Sequence, residues 1–309
     1  MTEASSDTKR FYPLAYLSII RPQNCIIGGL TVLAGVLMAY NLNQVGVLSA
    51  YYPLLIYGYI TYFFVAAGGN VVNDIFDVEV DKINRPHRAL PSGRMTIRQA
   101  WVYVVFLSVV GLLFAILTGP FSAFIVLCFL IIGYVYAAKV KTLGLAGNFM
   151  VAFSFAFGIL YGALAFGETV GFVPTASISV AHWLFFITAF FILQARETIK
   201  GSEDVEGDRA RDVHTIARNY GYKVAAGVAA VLNFIGVLSY VLIWLMDFAR
   251  WELWPLLILG AGIVLGAGIA PLTGPDNKRA LLIGSTLDKV GALVGLIAFV
   301  IIPLYGILF

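Results

Sequence analysis

Charge is the scarcest component of this chain: 12% of its 309 residues are Asp, Glu, Lys or Arg, against 60% hydrophobic. With a mean hydropathy of +0.89, that excludes a water-soluble globule, or a soluble enzyme carrying one anchor. The two cysteines, Cys25 and Cys128, both fall inside apolar runs, so neither a disulfide framework nor redox chemistry has support. The three histidines, His87, His182 and His214, show no metal-ligand spacing. No GxxxxGK loop followed by Ser or Thr is present, which removes nucleotide hydrolysis of the P-loop kind. The spaced-aspartate signature of phospholipid-forming phosphotransferases, beginning DGxxAR, is missing as well. A net charge of +3 gives no reason to expect a nucleic-acid partner, and no obligate protein partner is evident.

What is present is apolar sequence in long runs. Windows of about 20 apolar residues fall near 14–40, 53–77, 97–118, 121–138, 144–166, 179–202, 221–246, 253–272 and 288–308. The expected architecture is therefore an all-α, polytopic membrane protein of nine transmembrane helices forming one domain over 1–309. Residues 1–13 are read as a polar tail and the first apolar run as a retained helix. Of the 20 Lys and Arg, all but Arg250 lie on the side of the N-terminus, which the positive-inside rule assigns to the cytoplasm, leaving the C-terminus outside. Trp183, Trp244, Trp251 and Trp254 gather at the opposite ends, where an interfacial aromatic belt is expected.

The acidic residues are unevenly spread. Asp74, Asp77, Glu79 and Asp81 form one cluster, and Glu197, Glu203, Asp204, Glu206, Asp208 and Asp212 a second, together 10 of the 17. Each cluster ends an apolar span on the basic side, where carboxylates are costly unless they pair or bind a cation. Asn73, Asp77 and Asp81 are four apart; so are Asp204, Asp208 and Asp212, with an offset of 131 residues that points to an internal repeat. Steps of four advance a helix by about 40° each, so each triplet lines one stripe. An alternative frame, Asn70, Asp74, Asp77 and Asp81, also shares a face, and spacing alone does not choose. Gly207 interrupts the second stripe, placing Asp212 towards the loop.

Hard oxygen donors without His or Cys favour Mg²⁺, completed by phosphate oxygens of a substrate. Two facing sets of carboxylates repel by about 4 kcal/mol per close pair at an effective dielectric of 20, which requires cations between them. Arg21, Arg85, Arg88, Arg94, Lys139, Lys141, Lys200 and Arg209 supply donors for the remaining phosphate oxygens. The residues thus describe an Mg²⁺ diphosphate site at the cytoplasmic face of an apolar bundle, suited to a lipid diphosphate.

The run Asn73-Asp74 with Asp77 and Asp81 matches the NDxxDxxxD motif of the UbiA-type intramembrane prenyltransferase superfamily, and the second cluster matches its second motif. The resemblance covers nearly the whole chain. RPQN at Arg21–Asn24, NRPHRALPSG at Asn84–Gly93 and ARETIKGSEDVEGDR at Ala195–Arg209 resemble its archaeal ether-lipid branch, with His87 and Ala89 looser matches. The resemblance implies a nine-helix bundle around a lipid-accessible cavity, capped by cytoplasmic loops after the second and sixth helices. It implies Mg²⁺ held by Asn73, Asp77, Asp204 and Asp208 with Asp81 in support, selecting the Asn73 frame. Arg21, Asn24, Lys139 and Lys200 would face phosphate, with Arg85, Arg88, Lys141 and Arg209 as further contacts. Asp77, Asp208 and Lys139 are the candidate catalytic residues, together with Tyr136 or Tyr134 as the ring that stabilises an allylic cation. The implied reaction is transfer of a geranylgeranyl group from its diphosphate to the hydroxyl of geranylgeranylglyceryl phosphate, the proton leaving to diphosphate or a nearby carboxylate. The rivals are prenylation of an aromatic or tetrapyrrole acceptor and, more distantly, a cation-coupled transporter.

Overall fold

The computed structural model describes residues 12–140, 145–205 and 214–309, and among them every regular element is helical. Twelve α-helices follow in order: α1 (Pro13–Ile19), α2 (Pro22–Asn43), α3 (Tyr52–Phe76), α4 (Val78–Asn84), α5 (Ile97–Thr118), α6 (Pro120–Val135), α7 (Leu145–Thr169), α8 (Val180–Glu203), α9 (Ile216–Tyr220), α10 (Tyr222–Leu245), α11 (Trp254–Thr273) and α12 (Lys278–Leu308). Eight of the described helices are long and apolar enough to cross a membrane. The 24-residue α8 is the remaining long one; Gln194, Arg196, Glu197 and Lys200 lower its hydropathy.

Two boundaries differ from expectation. The first apolar run is broken at Arg21, which adopts a left-handed backbone (φ 51°, ψ 64°) before Pro22 opens α2. Proline fixes its own φ and disfavours a helical conformation at the residue before it, so α1 stops one residue short. The last helix starts at Lys278 rather than 288, because Asn277 caps it by accepting from the Arg279 amide at 2.9 Å. The polar residues of its first turns are therefore helical.

Consecutive long helices pack against one another, and α12 returns to α2, closing the circuit. Within it α2 crosses α7 and α12 crosses α8. The crossings place α2 and α7 inside, with 67% and 61% of their apolar windows buried, whereas the α6 window is 17% buried and faces outward. Without water in the hydrocarbon, exposed Phe124, Leu127 and Ile131 on α6 are what a lipid-facing surface requires. The α2–α7 crossing depends on glycine: a Cβ on Gly162 would meet the Val32 carbonyl oxygen, the Val36 nitrogen at 2.8 Å and the Gly35 Cα at 3.1 Å. Backbones approach there as closely as small-residue crossings in membranes allow. His182 ties α8 to the same pair, its Nε2 lying 3.1 Å from the Gly35 carbonyl.

At the end away from the acidic motifs, Glu168 on α7 accepts from the Phe121 amide (2.7 Å), the Ser122 amide (2.9 Å) and the Ser122 hydroxyl (2.9 Å). It thereby caps α6, whose own Gly119–Pro120 start provides no side-chain cap. Trp183, Trp251 and Trp254 are exposed there, but Trp244 is 8% exposed and sits in the core. The belt is thus smaller than the sequence suggested, because the inner face of α10 carries one of its tryptophans.

Candidate active site

The first acidic motif straddles a helix end. Asn73 is in the last turn of α3, Asp77 is its C-cap, and Asp81 lies in α4. The bonds from Asp77 N to Asn73 O (3.0 Å) and Asp81 N to Asp77 O (2.8 Å) carry the four-residue spacing across the break, so the expected stripe survives. In the second motif the helix ends one position earlier in the repeat: Asp204, the counterpart of Asn73, is the C-cap of α8, with its amide on Lys200 O at 3.0 Å. Asp208, Arg209 and Asp212, like Lys141 and Glu206, lie outside the described residues.

Around motif one the carboxylates and guanidiniums form a network. Arg88, in the loop after α4, bonds Asp81 at 2.6 Å and Asp74 at 3.3 Å, and Arg21 pairs with the same Asp74 oxygen. Asp74 and Asp81 are buried, with side chains 7% exposed. Asp74, which belongs to the Asn70 frame and not to the Asn73 stripe, is the centre of this network. Arg94 donates to the His87 carbonyl and to Ser92 Oγ, folding the loop back on itself. Between this loop and α1 lies a cleft of about 550 Å³, lined by Leu14, Leu17, Arg21, Asp74, His87 and Arg88 among others. Asn24 and Arg85 are exposed on the same end.

Across the site, α6 passes into a π-helical turn over Tyr136–Val140. Such a turn shifts the helical phase and is frequent at functional sites. It separates the two candidate tyrosines. Tyr134 packs outward on Phe76 and Trp101, ring centroids 5.7 and 6.1 Å away. Tyr136 turns inward, its hydroxyl within the electrostatic reach of both Glu197 and Asp77. Lys139 is exposed in the same turn and Lys200 is 40% exposed on α8. Below Tyr136, rings from three helices form a continuous apolar wall: Phe129 on Phe157 (4.7 Å), Phe153 on Phe186 (5.7 Å) and Phe149 on Phe190 (5.1 Å).

The oxygen donors suit a hard divalent cation. Asn73 Oδ1 is buried without a hydrogen-bond partner, and Asp77 follows one turn later on the same stripe. Among the described residues no three His, Cys, Asp or Glu side chains converge as a complete cage, and Asp81 is held by Arg88. Sequence reasoning missed Glu197 as a neighbour of Tyr136, and it missed the fully buried Asp288 on α12, which lies near Asn233 and Arg196. An acidic residue isolated in an apolar run was the available signal for Asp288.

A polytopic helical bundle with oxygen donors, guanidiniums and an apolar wall converging at one end defines an integral membrane enzyme. The chain matches the UbiA prenyltransferase family over residues 11–281, and it belongs to that family. It is 32% identical over 94% of its length to the digeranylgeranylglyceryl phosphate synthase of Pyrococcus horikoshii, covering 97% of that protein. With the Sulfolobus acidocaldarius enzyme of the same name it shares 36% identity over 74% of this chain and 78% of the other. Among solved structures, one from work on digeranylgeranylglyceryl phosphate synthase in membranes superposes with a TM-score of 0.74 at 26% identity, over 95% of this chain and 99% of that one. A UbiA homologue from Archaeoglobus fulgidus bound to DMAPP and Mg²⁺ gives a TM-score of 0.60 at 17% identity, over 93% and 99%, a likeness of fold.

Proposed function

We propose that this prenyltransferase moves a geranylgeranyl group from geranylgeranyl diphosphate to the free hydroxyl of geranylgeranylglyceryl phosphate, releasing diphosphate and forming an ether-lipid precursor. The observation that carries the reading is the near full-length similarity to relatives named for that product. Counting α8 as a span makes nine, in one membrane-embedded domain whose N-terminus and basic end face the cytoplasm.

Asn73, Asp77, Asp204 and Asp208, with Asp81 in support, would hold Mg²⁺, which when bound neutralises charge on the departing diphosphate. Arg21, Asn24, Arg85, Arg88, Lys139, Lys141, Lys200 and Arg209 bind the phosphate oxygens that the cation leaves open. The prenyl tail lies along the phenylalanine wall below Tyr136, apart from the basic end. Tyr136 presents its ring to the allylic carbon as positive charge develops. Charge stabilisation is stronger inside such an apolar site than in water, so the same donors that bind the ground state act mainly on the separated charges.

The test is transfer of labelled geranylgeranyl by purified protein in detergent with Mg²⁺, offered either geranylgeranylglyceryl phosphate or 4-hydroxybenzoate, with products resolved by mass. Label in a doubly prenylated glycerol phosphate is expected. Label on the aromatic acid would move the enzyme to an aromatic branch. Asp77→Ala and Asp208→Ala are each expected to abolish turnover in protein that still extracts as a folded species. Normal activity in either would sink the metal assignment.

A further inference from the structure

We infer that Glu197 is the group that accepts the proton of the acceptor hydroxyl. The inference rests on the proposed transfer to a hydroxyl and concerns a carboxylate that lies outside both metal-binding triplets.

Position is the first support. Glu197 precedes Asp204 by seven residues on α8. Seven residues are nearly two full turns, so the two side chains share a face, with Glu197 about 10 Å further along the axis towards the apolar interior. Diphosphate is expected at the level of Asp77 and Asp204, so the reacting carbon, one bond beyond it, lies on the Glu197 side. Tyr136, at the start of the π turn of α6, is near enough for the charges of Glu197 and Asp77 both to act on its hydroxyl. Glu197 therefore occupies the interval between the metal level and the phenylalanine wall, from which an acceptor with its own apolar tail must approach.

The surroundings are the second support. Arg196 Nη1 lies 2.9 Å and Lys200 Nζ 3.9 Å from Glu197 Oε1, while the side chain keeps 22% exposure. The Arg196 Nε is buried without a partner, and Arg196 is in turn within the field of the buried Asp288. Asn148 on α7 donates to the Glu197 carbonyl at 3.5 Å, orienting this turn from the other side. These contacts fix the position of the carboxylate beside two basic side chains.

The third support comes from the internal repeat. The offset that relates Asn73 to Asp204 relates Ala66 to Glu197. The first half of the molecule thus carries its acidic triplet without an acid at the equivalent position, so the repeat does not itself demand one.

The step balances as follows. The C1–oxygen bond of the donor breaks and its electron pair leaves with diphosphate; the acceptor oxygen forms the new bond to C1; its proton passes to Glu197, which returns it to water when products depart. Proton transfer of this kind contributes about 10²–10⁴-fold.

The experiment compares wild type, Glu197→Gln and Glu197→Asp for ether formation, diphosphate release and donor binding. Wild type must first prenylate the hydroxyl acceptor; if it does not, the functional reading fails before this one is tested. Given that activity, Glu197→Gln, which keeps size and hydrogen bonding, is expected to lower kcat for ether formation by about 100-fold or more. Its donor affinity should stay within about twofold, and diphosphate release should persist with water trapping the prenyl group. Glu197→Asp keeps the charge that Arg196 and Lys200 neighbour but withdraws it by one methylene, so kcat should fall by about tenfold with KM for the donor unchanged. This second variant carries the test should the glutamine protein not fold. A kcat within about twofold of wild type in either folded variant overturns the inference. So does a parallel loss of donor affinity, which would mark Glu197 as a structural ion-pair member.

Discussion

Replacing Gly162 by alanine is the most direct challenge to the packing described for the inner helices. The added Cβ would meet backbone atoms alone: the Val32 carbonyl oxygen, Val36 N at 2.8 Å and Gly35 Cα at 3.1 Å. Comfortable contact needs about 3.5 Å or more, so α2 and α7 must part by roughly 0.5–1 Å, because neither a backbone carbonyl nor a Cα can rotate away. Overpacking of this kind costs about 1–3 kcal/mol, and an obstacle of pure backbone belongs at the upper end. Alanine recovers up to about 1 kcal/mol of helix propensity, leaving a net loss of about 2 kcal/mol. For a chain of this size each kcal/mol moves Tm by about 2 °C, so the expected drop is about 4 °C. The assay is thermal unfolding in detergent, with Gly262→Ala on α11 as reference, since nothing lies within 4 Å of a Cβ there. A Gly162→Ala protein melting with or above Gly262→Ala would refute the close crossing of α2 and α7.

Two further outcomes follow from side-chain networks. Arg88→Leu removes the guanidinium between Asp74 and Asp81; stranding buried carboxylates costs about 3–5 kcal/mol, tempered here by Arg21 on Asp74, and the loop 85–94 should become cleavable by added protease, while an unchanged cleavage pattern would disprove its tether. Glu168→Ala should lower stability by about 1 kcal/mol through loss of the α6 cap and leave kcat intact, since Glu168 is at the end remote from the acidic motifs; a fall in kcat below the unfolding temperature of the variant would contradict that placement.

The fold was legible where the membrane constrains it. A chain that must satisfy its backbone inside hydrocarbon forms helices, and their lengths follow from apolar runs, so α3, α5, α10 and α11 end within a few residues of expectation. The misses have local causes. Arg21 breaks the first run because Pro22 follows it, and α12 extends back through Arg279 and Lys278 because Asn277 caps it there. In the site, the spaced carboxylates could be read from helical periodicity alone. The partners of Asp74 could not, since Arg21 and Arg88 reach it through a helix break and a folded loop. Nor could periodicity choose between Tyr134 and Tyr136, because the π turn that begins at Tyr136 alters the phase on which such a choice depends.

The left-handed backbone at Arg21 makes that position doubly constrained. A residue with a Cβ pays about 1–2 kcal/mol for that conformation, and glycine would avoid the strain but leave Asp74 with one guanidinium in place of two. Lysine would keep a positive charge while retaining the strain and losing the planar fork. Geometry and charge therefore cannot be optimised separately at Arg21: relieving the backbone takes one of its two guanidiniums from Asp74, and preserving the ion pair preserves the strain, so the hinge between α1 and α2 and the wiring of the first acidic motif must change together or not at all.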